Sequence, residues 1–526
     1  MSKEQRVRAD WRIRDLIAHW AAIDSDREVA VDGSRRCTYG RLLALADMMA
    51  ATLIANGVQR GDRVATLAPP GLDFLVSFLA ASSIGAIWQG LNPKYQRNEY
   101  AYLLDDARPL IVMVRSPFDG RDYLQELEEL ANHPVRFLRL TDSPMDIDHP
   151  YLERARYLGA GMLQARLDAV DVEDAAVIVY TSGTTGKPKG AMLSHRAIVQ
   201  TALAHVTWIG TGLDSTICAA PINHVGALNN VCMTVLAAGG RIIFLPRVDF
   251  EMIARANERE LPTYLVGSPT AFAMRLAVPG FDFASHTHYE VIVFGGASTP
   301  AAQLRELKKT GARLSSVYGQ TETCGMITYT DFDAGLDMTA ETIGRPIAGV
   351  EVRVASPEGD ELQQGEIGEI QVRGVSVMSG YFGRPEATRE AFTADGWLKT
   401  GDLGQVRPNG EIAFSGRIKE MFKSGGYNVY PVEIELAICE HPDVAQAAVV
   451  ALPHDTFQEV GHAFVRPAAD TVDVEALRRF LKERIANYKV PKTWTVLDEF
   501  KTLPNGKVDK KSMREDLLQT GRSDTT

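Results

Sequence analysis

The apolar positions along the chain change period repeatedly. Glu28 to Asp32 alternates as a half-buried strand does. Thr38 to Asn56 then places Leu42, Leu45, Ala46, Met49 and Leu53 on one face of a helix, with Thr38 as N-cap and Gly57 at its end. Arg63 to Leu67 predicts a strand, Asp73 to Ser83 a helix, and Pro109 to Val114 a further strand. Strands alternating with helices at this spacing imply βαβ units, in which helices cover a parallel sheet. The rhythm recurs from Val199 to Val317, so two wound sheets are expected.

After Tyr329 the pattern changes. Ile347 to Val354, Glu366 to Arg373 and Gly404 to Ser415 predict strands around turns such as Pro408-Asn409-Gly410, which together make a small antiparallel unit. Beyond Gly416 the order is a helix started by Pro431 (Val432 to Glu440), a strand Val444 to Leu452, a helix Val474 to Ile485 and a strand Thr493 to Phe500. Gly521 to Thr526 is polar and expected to fray. The predicted fold class is α/β. A large N-terminal domain, 1–416, contains two wound sheets and the antiparallel unit, and a smaller α+β C-terminal domain, 417–526, follows a boundary at about 416–419.

Composition acts mainly by exclusion. The chain has 526 residues, 45% hydrophobic and 23% charged, which supplies ample core. Lys plus Arg is 56 against 67 Asp plus Glu, a net charge of −11, which argues against nucleic acid as a partner. The best apolar run, Phe74 to Trp88, falls short of the roughly 20 residues of a membrane helix, so no integral membrane segment is expected. Met1 to Trp20 is arginine-rich without the apolar stretch of a secretory signal. Five cysteines without CxxC spacing indicate neither a disulfide framework nor a zinc site, and a cytoplasmic setting is expected.

Candidate chemistry is concentrated in one loop. The apolar strand Ala175-Ala176-Val177-Ile178-Val179 empties into Thr181-Ser182-Gly183-Thr184-Thr185-Gly186-Lys187-Pro188-Lys189-Gly190. Glycines bring backbone N–H groups close around phosphate oxygens, while the hydroxyls and two lysines add donors and charge. A Walker A loop needs four residues between its glycines and Ser or Thr after the lysine. Here only Thr184 and Thr185 separate Gly183 from Gly186, and Pro188 follows Lys187.

The segment resembles the phosphate loop of the adenylate-forming superfamily of acyl-CoA synthetases, peptide-synthetase adenylation domains and beetle luciferases. The further motifs of that family follow in order: Tyr318-Gly319-Gln320-Thr321-Glu322, Thr400-Gly401-Asp402, Gly416-Arg417 leading to Gly425-Gly426-Tyr427-Asn428-Val429, and Pro504-Asn505-Gly506-Lys507-Val508. The resemblance implies carboxylate activation by ATP to an acyl-adenylate, followed by displacement of AMP by a thiol. It implies that Thr181, Ser182, Gly183, Thr184, Thr185, Gly186, Lys187 and Lys189 handle the β- and γ-phosphates, and that Thr321 donates to the α-phosphate. Glu322, with Thr184, would hold Mg2+. Gly295, Gly296, Ala297, Ser298, Tyr318 and Gly319 would line the adenine slot, Gly295 also bordering the acyl pocket. Asp402 would accept both ribose hydroxyls, with Arg417 adding a donor.

Lys507 would bridge the carboxylate and phosphate during adenylation, and Lys423 would act near the phosphate once the mobile small domain has rotated at Lys419. Gly425 and Gly426 would leave room for the pantetheine arm. Pro221-Ile222-Asn223-His224-Val225-Gly226 resembles the motif at the entrance of the acyl pocket, with His224, Val225 and Gly226 as lining. Amino-acid-activating relatives pair the substrate ammonium with an aspartate where Val225 stands, so an α-amino acid is disfavoured. A fatty, alicyclic or aryl acid is favoured, and coenzyme A is the expected acceptor because no carrier segment follows Lys510. The sequence therefore predicts an acyl-CoA synthetase, monomeric or homodimeric, using ATP, Mg2+ and coenzyme A. Transfer to a separate carrier protein and a noncatalytic nucleotide-binding regulator are the alternatives. Loss of Lys507, Glu322 or Asp402 would mark the latter, and all three are present.

Overall fold

The computed structural model describes residues 10–140, 158–159, 161–181, 187–276, 278–297, 299–469, 471–503 and 507–520. Ser182 to Gly186 of the phosphate loop, Ser298 and the polar end after Thr520 lie outside them.

Two large sheets dominate the N-terminal part. The first has nine strands, with six parallel ones in the order Arg313–Gln320, Val291–Gly295, Tyr264–Gly267, Ser215–Cys218, Arg241–Phe244, Glu28–Asp32. Antiparallel strands close both edges: Arg35–Thr38 at one, Gly325–Tyr329 and Arg345–Pro346 at the other. The second sheet has seven strands. Five are parallel, in the order Ala175–Thr181, Ile87–Leu91, Arg63–Leu67, Ile111–Arg115, Arg136–Leu140. The phosphate-loop strand Ala175–Thr181 turns back as Lys189–Ser194, antiparallel, and the short strand Gly380–Tyr381 pairs outside it. The sheets are thus mixed rather than purely parallel, because antiparallel strands add to their edges, and an antiparallel neighbour needs no crossover helix.

The helix read from 38 to 56 spans Tyr39–Ala55, and the Thr38 side chain accepts from Arg41 N at 3.2 Å. A core shared by helices and both sheets buries Leu42, Phe74, Phe78, Trp88, Val177, Ile198 and Val293. The indole N–H of Trp88 donates to the Thr66 hydroxyl at 3.0 Å, which satisfies the donor of this fully buried ring.

The predicted antiparallel unit is a four-stranded sheet, Val350–Ala355, Gly368–Gly374, Leu398–Val406, Ile412–Arg417. Between Leu398–Val406 and Ile412–Arg417 the expected Pro408-Asn409-Gly410 turn reverses the chain, with Gly410 at φ +80°.

The last sheet has five strands and its own core of Phe422, Val429, Ile434, Ile438, Ala463, Leu477 and Trp494. Its longest antiparallel pair is Val444–His454 with Gln458–Pro467, the second of which the apolar pattern did not single out. Strand Thr493–Val496 and helix Val474–Lys482 are shorter than read. Helix Lys510–Thr520 packs below this sheet through Met513 and Leu517, beside Phe464 and Phe500. Among the described residues no helix is long and apolar enough to cross a membrane.

Candidate active site

The site is built at the ends of three structural units. Strand Arg313–Gln320 presents Tyr318 beyond the carboxyl end of the large parallel sheet, where open α/β sheets bind ligands. A bulge between Tyr318 and Gly319 interrupts its pairing with Gly325–Tyr329. Only glycine fits at position 319, since a Cβ there would lie 1.8 Å from the Gly325 carbonyl oxygen. The chain then turns through the 3-10 segment Thr321–Thr323, which carries half-buried Thr321 and Glu322.

Asp402 and Arg417 are cross-strand partners in the four-stranded sheet, so their side chains meet by register. Arg417 Nε lies 3.3 Å from one Asp402 carboxylate oxygen, and the Tyr318 hydroxyl donates to the other at 2.8 Å. Burial pushes the Asp402 carboxyl above its ordinary value, while Arg417, Tyr318 and Lys507 pull it down. Burial, with the Asp402 charge, drives the Tyr318 phenol well above its own. Tyr318 therefore stays a neutral donor and leaves the carboxylate oriented towards the cleft.

Glu322 is the second acid. Its Oε1 accepts from the Tyr381 hydroxyl at 2.9 Å, and its backbone carbonyl accepts from Met378 N at 2.8 Å. Burial raises its carboxyl above the ordinary range. Tyr381 reaches it because the short strand Gly380–Tyr381 is zipped to Met192 and Ala191, at the edge of the phosphate-loop sheet. The Lys189 ammonium sits 5.1 Å from the Tyr381 ring centroid, and that of Lys187 sits 5.4 Å from the ring of Tyr102. Lys189 also stands opposite Thr181 across the loop.

Lys507 comes from the small domain. A Cβ built on Gly296, which has φ +83°, would lie 3.7 Å from Lys507 Cε, so the lysine lies along the exposed Gly296-Ala297 segment after strand Val291–Gly295. Its neighbouring charges are Arg417, Asp402, Glu420 and Glu322. The side chain is accessible from the cleft, yet the enclosing protein desolvates it, and with Arg417 lowers its pKa; the three carboxylates oppose this. His224 also faces Lys507: burial, aided by the lysine charge, pushes its imidazole down to about 4, and its Nε2 has no hydrogen-bond partner.

His224 and buried Val225 precede a π-helix, Gly226–Met233, a form that is rare and concentrated at functional sites. A Cβ at Gly226 would meet nothing within 4 Å, so this position opens onto space. At Gly295, in contrast, a Cβ would strike the Val317 carbonyl oxygen at 2.3 Å.

Tyr318, Glu322, Asp402, Arg417, Gly296, His224 and Lys507 are thus brought together. Lys423, Gly425 and Gly426 do not join them: Lys423 is exposed, its N–H faces Glu459, and Gly425 donates its N–H to the Phe457 carbonyl. Lys419 is exposed in the turn that follows strand Ile412–Arg417. Sequence reasoning did not find Tyr381; a Gly-Tyr pair carries no signal of its own, and the partner Glu322 is 59 positions away.

Residues 17–382 match the AMP-binding enzyme family, and residues 433–507 match the AMP-binding enzyme C-terminal domain. The chain belongs to the AMP-binding enzyme family. As an AMP-binding enzyme it is 33% identical over 491 residues to the indoleacetate–CoA ligase of Aromatoleum aromaticum, covering 91% of this chain and 93% of that one. It is also 33% identical over 497 residues to a feruloyl-CoA synthase of an Amycolatopsis species, covering 92% and 94%. Among solved structures, ATP-bound MatB from Rhodopseudomonas palustris superposes with a TM-score of 0.82 at 32% identity, covering 97% of this chain and 100% of that one. The large N-terminal and small C-terminal domains are the architecture of this group of AMP-binding enzymes.

Proposed function

We propose that this enzyme is an ATP-dependent carboxylic acid–coenzyme A ligase, converting an acid, ATP and coenzyme A into acyl-CoA, AMP and diphosphate through an acyl-adenylate. The observation that carries the reading is Lys507, delivered by the small domain into a cleft already containing Asp402, Tyr318, Arg417 and Glu322.

The acid's carboxylate attacks the α-phosphorus of ATP, and the diphosphate leaves with the broken P–O bond's electrons. Charge on the phosphoryl oxygens has to be neutralised where it develops, and preorganised cations do this without reorganisation. Lys507 and Arg417 supply positive charge on one side, and Lys187 and Lys189 flank the phosphate loop on the other. Asp402, fixed by Arg417 and Tyr318, offers acceptors for a ribose diol. The small-residue segment Gly295-Gly296-Ala297 admits a purine beside Tyr318.

Among the described residues no three ligating side chains cluster as a dedicated metal cage. A single carboxylate, Glu322, suits Mg2+, which binds through one or two carboxylates together with substrate phosphates. When bound, Mg2+ supplies further charge neutralisation at the phosphates. Thr321 heads the turn that also sets Glu322, and is assigned to the α-phosphate.

The acyl group is assigned to the space beside His224, Val225 and Gly226. The imidazole there is neutral at physiological pH, and Val225 is 8% exposed, which favours an aryl, alicyclic or fatty acid over a charged one. In the second step the coenzyme A thiolate attacks the acyl carbon and AMP leaves. Gly425 and Gly426 are assigned to the pantetheine arm after the small domain rotates about Lys419, and Lys423 to the rotated state. All five cysteines are free thiols, with the Cys218 and Cys232 sulfurs 3.8 Å apart.

A panel of indoleacetate, ferulate, phenylacetate, hexanoate and palmitate, assayed with ATP and Mg2+, tests the reading. AMP formation should require both an acid and coenzyme A. Acid-dependent diphosphate exchange without coenzyme A-dependent AMP would instead make a carrier protein the acceptor.

A further inference from the structure

The small domain contains an ion triplet, Lys510, Glu420 and Glu435, to which the proposed function assigns no role. Lys510 Nζ lies 2.9 Å from Glu420 Oε2 and 2.7 Å from Glu435 Oε1. Each carboxylate belongs to a different part of the domain. Glu420 closes the turn after strand Ile412–Arg417, its N–H donating to the Arg417 carbonyl at 3.0 Å. Glu435 stands on helix Pro431–Cys439 and also accepts from Val449 N at 2.7 Å, which ties it to strand Val444–His454.

Lys510 itself begins the last helix, three residues after Lys507. The intervening chain is held on both sides. Leu503 N donates to the Lys507 carbonyl at 2.7 Å, and Asp509 N donates to the Lys501 carbonyl at 2.8 Å. Thr502 and Val508 form a bridge between them. Asp509 then caps the helix by accepting from Ser512 N at 3.0 Å. A side chain that fixes Lys510 therefore fixes the short ladder from which Lys507 projects.

We propose that Lys510 is a positioning residue for adenylation: by clamping Glu420 at the interdomain turn to Glu435 on helix Pro431–Cys439, it holds the Lys507 ladder in register with the cleft. Glu420 also lies among the charges that face Lys507 and Arg417, so the clamp keeps that carboxylate from pairing with the lysine that the reaction needs. The two carboxylates raise the Lys510 pKa against the effect of burial, so the clamp is charged at physiological pH. Lys510 acts through Lys507, and the inference rests on the adenylation role proposed above for that residue.

Three variants test it: Lys510→Met, Lys510→Arg, and the charge-neutral Lys510→Met/Glu420→Gln/Glu435→Gln. The last leaves no unpaired carboxylate behind and keeps the test valid if the single Met variant folds poorly. Adenylation is read as single-turnover diphosphate release with ATP and the best acid of the panel. The second step is read with chemically supplied acyl-adenylate and coenzyme A. Misplacement of Lys507 by about 1 Å should lower the adenylation kcat about 100-fold in both Met variants, with KM for ATP little changed. The thioester step should stay near the wild-type rate, and Lys510→Arg should restore most of the loss.

Adenylation within about 3-fold of wild type in a folded Met variant overturns the proposal. So does a loss shared equally by both steps and by Tm in the charge-neutral variant, which would make the triplet purely structural. Lys507→Ala, run alongside, separates the two readings. If it leaves adenylation intact, the site assignment fails and the role of Lys510 with it; if it abolishes adenylation while Lys510→Met does not, only the positioning role fails.

Discussion

In its proposed role Lys507 has to carry a proton to neutralise phosphate charge, and its surroundings discourage one. Desolvation in the cleft and the nearby Arg417 lower its pKa, and the facing carboxylates only partly offset this. The charged form is the active one, so activity should fall as pH rises through that lowered value. The adenylation kcat/KM for ATP should show an alkaline limb below the ordinary lysine value of about 10.4. The limb should vanish in Lys507→Ala, and a limb at the ordinary value would mean a solvated lysine. Glu322 presents the opposite case, a carboxyl raised by burial and lowered by the Tyr381 hydroxyl. Tyr381→Phe keeps the ring beneath Lys189 and removes only the donor at 2.9 Å. The Mg2+ concentration for half-maximal adenylation should rise about 10-fold, the usual cost of losing a group that orients a metal ligand. An unchanged Mg2+ dependence would remove Glu322 from the metal site.

At the scale of elements, the π-helix Gly226–Met233 begins at the space proposed for the acyl group. Its wide turn is pinned by polar contacts rather than by propensity. Asn229 donates to the Cys324 carbonyl at 2.7 Å, Asn230 accepts from Met326 N at 3.1 Å, and Thr234 donates to the Asn229 carbonyl at 3.0 Å. These bonds hold the helix against strand Gly325–Tyr329, on the far side of the bulge that aims Tyr318. Gly226 has no positive φ and opens onto space, so a larger residue is accommodated without backbone strain. Gly226→Leu should leave Tm nearly unchanged and shift preference towards short acids. Discrimination between hexanoate and indoleacetate should move by at least about 10-fold, the scale of one or two methylenes in an apolar pocket. An unaltered acid profile would place the acyl group elsewhere.

At the scale of the whole molecule, Lys507 lies inside the cleft, which is where the proposed adenylation step needs it. Thioester formation needs that side cleared for the thiol, so the proposed mechanism requires the small domain to turn about the segment near Lys419. Lys419 lies inside the turn closed by the bond from Glu420 N to the Arg417 carbonyl, whose donor a proline at 419 would leave in place. Proline fixes φ near −65°, so Lys419→Pro should preserve first-turnover diphosphate release while slowing thioester formation by at least about 100-fold. Full turnover would move the pivot elsewhere, and Lys419→Ala should behave as wild type.

Much of the local structure was written into the order of residues. The period of the apolar positions and the Thr38 cap determined helix Tyr39–Ala55, and a buried apolar run determined strand Ala175–Thr181. Tyr318, Glu322, Asp402, Arg417 and Lys507, which the fold gathers in one cleft, could be named from their motifs, and the roles proposed for them rest on that resemblance. What the order of residues left open was which parts meet. Strand Glu28–Asp32 pairs with Arg241–Phe244, more than 200 positions away, through backbone bonds that are alike for every strand. Helix Lys510–Thr520 is polar enough to hide its packing role, and the Lys510 clamp depends on carboxylates 75 and 90 positions upstream. Tyr381 finds Glu322 only because a two-residue strand adds to a sheet edge. Periodicity and residue chemistry are properties of neighbours in the chain, so the sequence determines them directly. Pairing, burial and charge partnership are settled by competition among distant segments for the same core, and only the folded molecule decides them.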